Sequence, residues 1–423
     1  MNKDDILKAT KRVTNKWAKM RKAEERQSSR AYSRSYYMYS NRIYIKEMAY
    51  KVMEQAYMKA SDNGTLPANA RQIMYASRPL ILAESTSKKF DSKYFTQHLL
   101  PDYLEENPLE TAGWDVVFDA RGQLFEPHTK TEVRLGTIGV REYLNKIRTH
   151  SVTDIIAPTI DEGDSYPTKG PKNRYGAILF IEKEGFNELF KKAEIAAKYD
   201  LCIMSTKGMS TTAARQLVDE LCCNDLPLFV LHDFDKSGFS IVSTLQRDTR
   251  RYSFHNDVNV VDMGLRLADI EKYNLESEEC SYGTSDPISN LEENGATKAE
   301  INFLCTSSNY RGYSGRRVEL NALNSRDLLN LIESKLKKHG VKKVIPDNDT
   351  LKDAYRRAAL VKKLNERLEE IMEDTKKEVD DINIATKQIE RRVRKMLKEC
   401  PTKSWDSAIA DIVEENHEDV DEG

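Results

Sequence analysis

The period of the apolar residues changes partway along the chain. Residues 3–60 are built from good helix formers with no Pro or Gly and predict one or two helices. Asn63-Gly64 is a helix stop, and Leu66-Pro67 opens another helix with Pro67 in its first turn. A third helical stretch is expected over 86–105. Two β-prone runs, W-D-V-V-F-D-A and Q-L-F-E-P, then flank Arg121-Gly122 and read as a hairpin. Residues 151–176 carry Pro158, Gly163, Pro167, Gly170 and Pro171 and read as a linker. Past it, short apolar runs alternate with helix-like stretches. The runs are Ile178–Glu182, Leu201–Thr206, Leu226–Val230 and Val258–Met263, and the helix-like stretches are 186–198, 211–223 and 238–247. Nearly continuous apolar strands in such alternation predict a parallel sheet covered on both faces. Residues 348–398 are charged, with apolar positions too irregular for a heptad, and predict a long amphipathic helix or helical hairpin suited to an oligomer contact.

The order of three helices and a hairpin is that of a winged helix, which can lay a helix in a DNA groove and also serves protein contacts. The expected fold is therefore α/β, an N-terminal winged-helix domain followed by a Rossmann-like parallel sheet, with helical N- and C-terminal extensions. The boundaries are a basic helical extension at 1–40, the winged helix at 41–150, the linker, the sheet domain at 177–345 and a charged helical region with an acidic tail at 346–423.

A length of 423 residues suits two or three domains, and 39% hydrophobic residues can fill their cores. A mean hydropathy of -0.65 and no apolar run near the roughly 20 residues of a membrane span predict a protein with no membrane partner. The start, M-N-K-D-D-I-L-K, has no apolar signal region. Cysteines 202, 222, 223, 280, 305 and 400 form no C-x-x-C pair and are expected to be reduced thiols of a cytoplasmic, nucleoid-associated protein. The net charge of -2 hides a polarity: residues 1–60 hold 15 Lys and Arg against 6 Asp and Glu, and residues 401–423 hold 8 acidic residues against Lys403. A basic head suits phosphates and equally a solvated helix face. The Tyr-rich run Ser35-Tyr36-Tyr37-Met38-Tyr39 suits helix packing better than base stacking. The acidic tail is expected to be disordered.

Carboxylates fall where an open parallel sheet collects its chemistry, at the carboxyl ends of strands. Glu182 closes the first run in I-L-F-I-E-K-E-G, and Asp233 and Asp235 close the third in F-V-L-H-D-F-D-K-S-G. Period-two geometry puts the two aspartates on one side of an extended segment. Three carboxylates without His or Cys suit a hard cation, Mg²⁺ or Mn²⁺, which can support phosphodiester cleavage. A lone D-x-D is usually a loop pair; the upstream Glu182 and the downstream Gly238 set this one apart. Lys207 and Gly208 end the middle run at the same edge, where a lysine can meet a phosphate or simply face solvent. His128 beside Glu126 lies in the turn-rich stretch 122–144, and a loop histidine of that kind is usually structural.

Residues 176–250 resemble a Toprim domain. More narrowly, E-K-E-G, S-T-K-G-M-S-T-T-A-A-R, H-D-F-D-K-S-G-F-S-I and R-R-V-E-L-N-A-L (316–323) resemble the topoisomerase VI A-chain family with its meiotic double-strand-break relatives. That family carries a nucleophilic tyrosine in an R-D-x-x-Y type motif within a winged helix, and this chain has Arg71-Gln72-Ile73-Met74-Tyr75, with Gln72 in place of the acidic residue. The resemblance implies that Tyr75 attacks a backbone phosphate to leave a 5′-phosphotyrosyl link. It also implies that Arg71 and Lys207 assist, that Arg71, Lys207 and Arg215 contact DNA, and that Glu182, Asp233 and Asp235 hold the metal. It further implies a homodimer on double-stranded DNA, each site shared between protomers. Without an ATP-binding glycine loop, a strand-passing activity would need a separate ATPase partner. Two other readings remain open. One is a hydrolytic Toprim nuclease of plasmid or phage defence, working with an ATPase and with a structural Tyr75. The other is a DNA-binding scaffold without catalysis.

Overall fold

The computed structural model describes residues 44–86, 90–118, 122–126, 131–149, 173–206, 212–222, 226–248, 252–309, 312–380 and 386–421. Residues 1–43 of the basic head with the Tyr-rich run, most of the linker, His128 and Lys207 lie outside these residues. The described residues divide into two compact units. One comprises 44–57 and 73–111, the other 58–72 and 112–421.

In the first unit the helix Ile45–Ala60 buries Met48, Ala49, Met53, Ala56 and Tyr57, a spacing that keeps one face apolar. Lys46 pairs with Asp102, and Tyr50 meets Tyr103 edge-on at 5.2 Å. The helix Ala70–Glu84 carries Pro79 and buries Ile73, Met74, Tyr75 and Ile81. The expected stretch 86–105 is found as three consecutive pieces, Ser92–Tyr94, Phe95–Leu99 and Leu100–Glu106, the middle one wound as a π-helix. Pro101 has no N–H to return to the preceding turn, which accounts for the wider winding there.

The second unit contains the strands. The expected hairpin pairing is corrected: β1 (Ala68–Asn69) pairs in parallel with β2 (Val116–Val117), while β3 (Gln123–Phe125) pairs antiparallel with β4 (Glu132–Arg134). Val116 and Val117 are both buried, which suits an internal pairing with β1 rather than a solvent-facing hairpin arm. The hairpin that does form is exposed along β3 and belongs to this unit.

The alternation past residue 176 folds as expected. β5 (Ala177–Ile181), β6 (Leu201–Ser205), β7 (Leu228–Leu231) and β8 (Val260–Asp262) make one parallel sheet in the order β6-β5-β7-β8. Successive residues of β5 serve opposite faces. Ala177, Leu179 and Ile181 join a core with Phe186, Phe190, Phe239, Leu328 and Ile332, and Ile178 and Phe180 join a second core with Val218, Cys222, Ile241 and Leu245. Helices therefore cover both faces, and β5 is buried throughout.

A smaller antiparallel sheet follows, β9 (Glu278–Gly283), β10 (Ser307–Asn309) and β11 (Gly312–Arg317) in the order β10-β11-β9. A two-residue bridge joins the two sheets: Phe234 and Val318 exchange backbone hydrogen bonds of 2.8 and 3.1 Å in antiparallel sense.

The C-terminal part is a 33-residue helix, Asn348–Asp380, followed by Thr386–Glu399 and Trp405–Asp421. The expectation of a disordered acidic tail is corrected as far as Asp421. Ala408 and Ile412 are buried, and Glu415 and Asp411 pair with Arg392 and Lys403. The acidic residues are thus spread along a helix with an apolar face and basic partners. Among the described residues no helix is long and apolar enough to cross a membrane.

Gly315 of β11 lies where an added Cβ would stand 1.7 Å from the carbonyl oxygen of Leu304. Gly315→Ala is expected to cost at least about 1–3 kcal/mol by overpacking, measured as a lower urea midpoint with an unchanged slope. An unchanged midpoint would contradict the packing of β11 against Leu304.

Candidate active site

The order β6-β5-β7-β8 sends the chain from β5 outward to β6 and back across to β7, so the carboxyl ends of β5 and β7 are neighbours at a switch point. Glu182 is the first residue after β5, and Asp233 follows β7 by two. Phe234 is fully buried between the aspartates, and Asp235 is extended, with φ -152° and ψ 171°. This fixes the expected alternation, with the phenylalanine inward and both aspartates on the other side.

Each aspartate is held by backbone. Leu320 N donates to Asp233 Oδ1 at 2.7 Å. Gly238 N donates to Asp235 Oδ1 at 2.7 Å, making Asp235 the N-cap of the helix Lys236–Thr244. A Cβ on Gly238 would stand 2.2 Å from the Asp233 carbonyl oxygen, so only glycine lets the helix start this close to the carboxylate turn. Beneath the turn, His232 is fully buried, with Nδ1 2.7 Å from the Asp233 carbonyl oxygen and Nε2 3.0 Å from Asp262 Oδ1. Burial opposes ionisation of Asp262. His232, the Gly264 N–H and Arg266 outweigh it and hold that carboxyl well below the usual carboxylate range.

The bridge between Phe234 and Val318 brings in residues that strand periodicity near Asp233 does not point to. Its antiparallel register sets Asp233 opposite Glu319 and Asp235 opposite Arg317. Glu319 is the hub. Arg71 Nη1 donates to both its oxygens, at 3.0 and 2.8 Å, Lys183 Nζ reaches Oε2 at 3.1 Å, and Arg317 stands 3.4 Å from Oε1. Lys183 Nζ also lies 2.7 Å from Asp233 Oδ2. Burial works against the charge on Glu319, but Lys183 and Arg71 more than offset it and hold the carboxyl at about 2. For Lys183 burial is likewise overcome, here by Asp233 and Glu319, and its pKa is raised.

The outer carboxylates lack such compensation. Burial, then the charge of Asp233, pushes Glu182 up, and the same two causes in the same order push Asp235 up. Negative charge is therefore crowded and under-neutralised at the ends of β5 and β7. The donor chemistry, three carboxylates with no sulfur or imidazole, fits a hard divalent cation. Among the described residues, however, no three such groups converge closely enough to form a ready-made cation site, and an ammonium holds Asp233 Oδ2.

Residues 177–339 match the family model for the Toprim domain of the topoisomerase 6 A chain and Spo11. This segment is a Toprim domain, similar to that of this family. Among curated proteins, none matches the chain. The Toprim domain holds Glu182, Asp233 and Asp235, together with Lys183, Arg317 and Glu319, which the sequence reading did not assign. Their signal was present in E-K-E-G and R-R-V-E-L, but the pairing needs the fold.

The remaining expected site residues fall differently. Arg71 donates to Glu319, with its side chain 42% exposed. Arg215 is 7% exposed in the helix Thr212–Cys222, packed into the Toprim domain instead of forming its surface. Tyr75 is 5% exposed and belongs to the first unit. Gln72 is 3% exposed: its Oε1 accepts from Asn69 N at 2.9 Å, and its Nε2 donates to the Leu323 carbonyl at 2.8 Å. A carboxylate could accept the first bond but not donate the second, which accounts for an amide at this position. Within the stretch 122–144, residues between Thr131 and Tyr143 line a cleft of about 290 Å³ with Arg134, Lys146 and Lys191 around it.

Gln72→Glu is expected to cost about 1–3 kcal/mol by orphaning the Leu323 carbonyl and burying charge, seen as a lower denaturation midpoint at neutral pH. Glu319 gives a pH signature. Its folded pKa of about 2 lies below the ordinary 4.5, so its stabilisation is complete above pH 4.5 and is lost as pH falls toward 2. The difference is on the order of 3 kcal/mol. Wild-type stability should therefore fall more steeply than that of Glu319→Gln between pH 5 and 3 in urea titrations. Parallel profiles would contradict the ion-pair geometry.

Proposed function

We propose that the chain breaks duplex DNA with the carboxylates of its Toprim domain, using Mg²⁺, or Mn²⁺ in its place, held by Glu182, Asp233 and Asp235. The observation that carries this reading is the under-neutralised carboxylate cluster at the ends of β5 and β7, where burial and mutual repulsion raise Glu182 and Asp235. A bound divalent cation supplies Lewis-acid charge to the phosphate and to the departing oxygen. The protein's own part is positional. Backbone N–H groups fix one oxygen of each aspartate, and the buried Phe234 keeps the two carboxylates on a common side.

In the first reading Tyr75 is the nucleophile. Its phenolate oxygen bonds to phosphorus, the P–O3′ bond breaks, and the protein stays on the 5′ end while a 3′-hydroxyl takes up a proton. An ordinary tyrosine with a pKa near 10 needs a base or cation nearby for this. Two protomers with opposed sites would cut both strands, an N-terminal winged-helix domain would dock DNA, and Lys207 would meet a phosphate. Strand passage would call for a separate ATPase partner. The second reading is hydrolysis by an activated water, with Tyr75 structural. The 5% exposure of Tyr75 and the engagement of Arg71 by Glu319 favour it.

Products separate the two. Purified protein is incubated with supercoiled plasmid and Mg²⁺ or Mn²⁺, quenched in detergent and assayed for protein-linked DNA. A 5′-linked adduct absent from Tyr75→Phe is the transesterase outcome, and free ends made equally by Tyr75→Phe are the hydrolytic one. Under either chemistry Asp233→Ala should abolish cleavage, and normal cutting by that variant would remove the Toprim carboxylates from the reaction.

A further inference from the structure

We propose that Lys183 is a built-in counter-ion of the carboxylate site, holding Asp233 in the absence of a divalent cation and yielding it, while keeping Glu319, when one binds. The inference rests on the metal reading above and adds a role for a residue that reading leaves out.

Asp233 has one oxygen already committed, Oδ1, which accepts from Leu320 N at 2.7 Å. The oxygen without a backbone bond here is Oδ2, the more open one to a cation, and there the Lys183 ammonium stands at 2.7 Å. A divalent cation and an ammonium on one carboxylate oxygen repel each other, so cation binding favours withdrawal of the ammonium. The geometry gives it somewhere to stay: Glu319 Oε2 is 3.1 Å from the same Nζ. Glu319 does not follow the lysine, because Arg71 and Arg317 hold it independently. Lysine suits such a handover, being a point charge on a flexible four-carbon stem that keeps its charge while changing partners. Its chain position suits it as well, since it follows Glu182 directly at the end of the fully buried β5 and its backbone is fixed by that strand.

This arrangement makes two substitutions act in opposite directions on cation affinity. Without Lys183 the competitor is gone, and the remaining carboxylates attract a cation more strongly. Without the charge of Glu319 the ammonium has only Asp233 to pair with, and a cation must displace it from its sole carboxylate.

The test is Mn²⁺ binding to the full chain without DNA, followed by calorimetry and by the loss of the free-ion electron paramagnetic resonance signal. Lys183→Met is expected to bind Mn²⁺ about tenfold more tightly or better, the size of change that one neighbouring unit charge produces in a partly buried site. Glu319→Gln should bind several-fold more weakly. The double variant should match Lys183→Met, because the effect of Glu319 runs through the lysine; a lysine that merely stabilised the fold would not give this non-additivity. Lys183→Gln serves if the methionine variant does not fold, and should shift affinity in the same direction. Equal or weaker binding by the folded Lys183 variants, with wild type binding normally, would overturn the counter-ion role and leave the metal reading standing. Absence of Mn²⁺ binding by wild type and Lys183 variants alike would overturn both.

Discussion

The packing of like charge at the ends of β5 and β7 is the constraint around which the Toprim domain is arranged. Glu182 and Asp235 lie in a partly buried setting, where the charge of Asp233 raises the cost of ionising each of them. Lys183, Arg71 and Arg317 lower that cost at the inner end of the cluster, around Glu319 and Asp233. At the outer end it is not relieved, and Glu182 and Asp235 remain biased toward protonation. A protein gains nothing in stability from such an arrangement, and the proposed cation site rests on this feature.

The supports beneath the cluster follow from the same need. Carboxylates that repel one another stay in place only if something stiffer holds them. Here it is backbone: the Leu320 N–H on Asp233, the Gly238 N–H on Asp235, and the two hydrogen bonds between Phe234 and Val318. Glycine at 238 permits the helix start to close on the Asp233 carbonyl, and glycine at 264 leaves room for the His232 ring, where a Cβ would lie 2.1 Å from Nε2. His232 in turn links the carboxylate turn to Asp262, Arg266 and Glu300 across the carboxyl end of β8. The aspartates are thus tied to the main chain, while Lys183 is held by side-chain ion pairs.

Much of this could be read in the sequence because two signals are local. Apolar runs such as Ala177–Ile181 declare a strand buried on both faces, and their ends place Glu182 and Asp233-Phe234-Asp235 at the carboxyl ends of β5 and β7. Where local signals competed, the reading erred. Val116-Val117 and Gln123–Phe125 both look like hairpin arms, but the first pairs with Ala68–Asn69, some 48 residues upstream, because burial rather than proximity selects its partner. The acidic tail looked disordered by charge alone, although Ala408 and Ile412 lie one helical turn apart and give it a face to bury. Arg71 and Arg215 were natural candidates for phosphate. What their local sequence does not show is that Arg71 reaches a carboxylate 248 residues away and that Arg215 is buried.

What the sequence determined by itself was the period of each segment, the α/β class of the region past residue 176, and the identity of its carboxylates, since these depend on residues within a few positions of one another. What only the tertiary structure decided was which charges neutralise which. Lys183, Glu319, Arg71 and Arg317 meet because a parallel crossover and one antiparallel bridge bring distant segments to the same strand ends. Charge pairing depends on distance in space, and no local pattern in the chain encodes that distance.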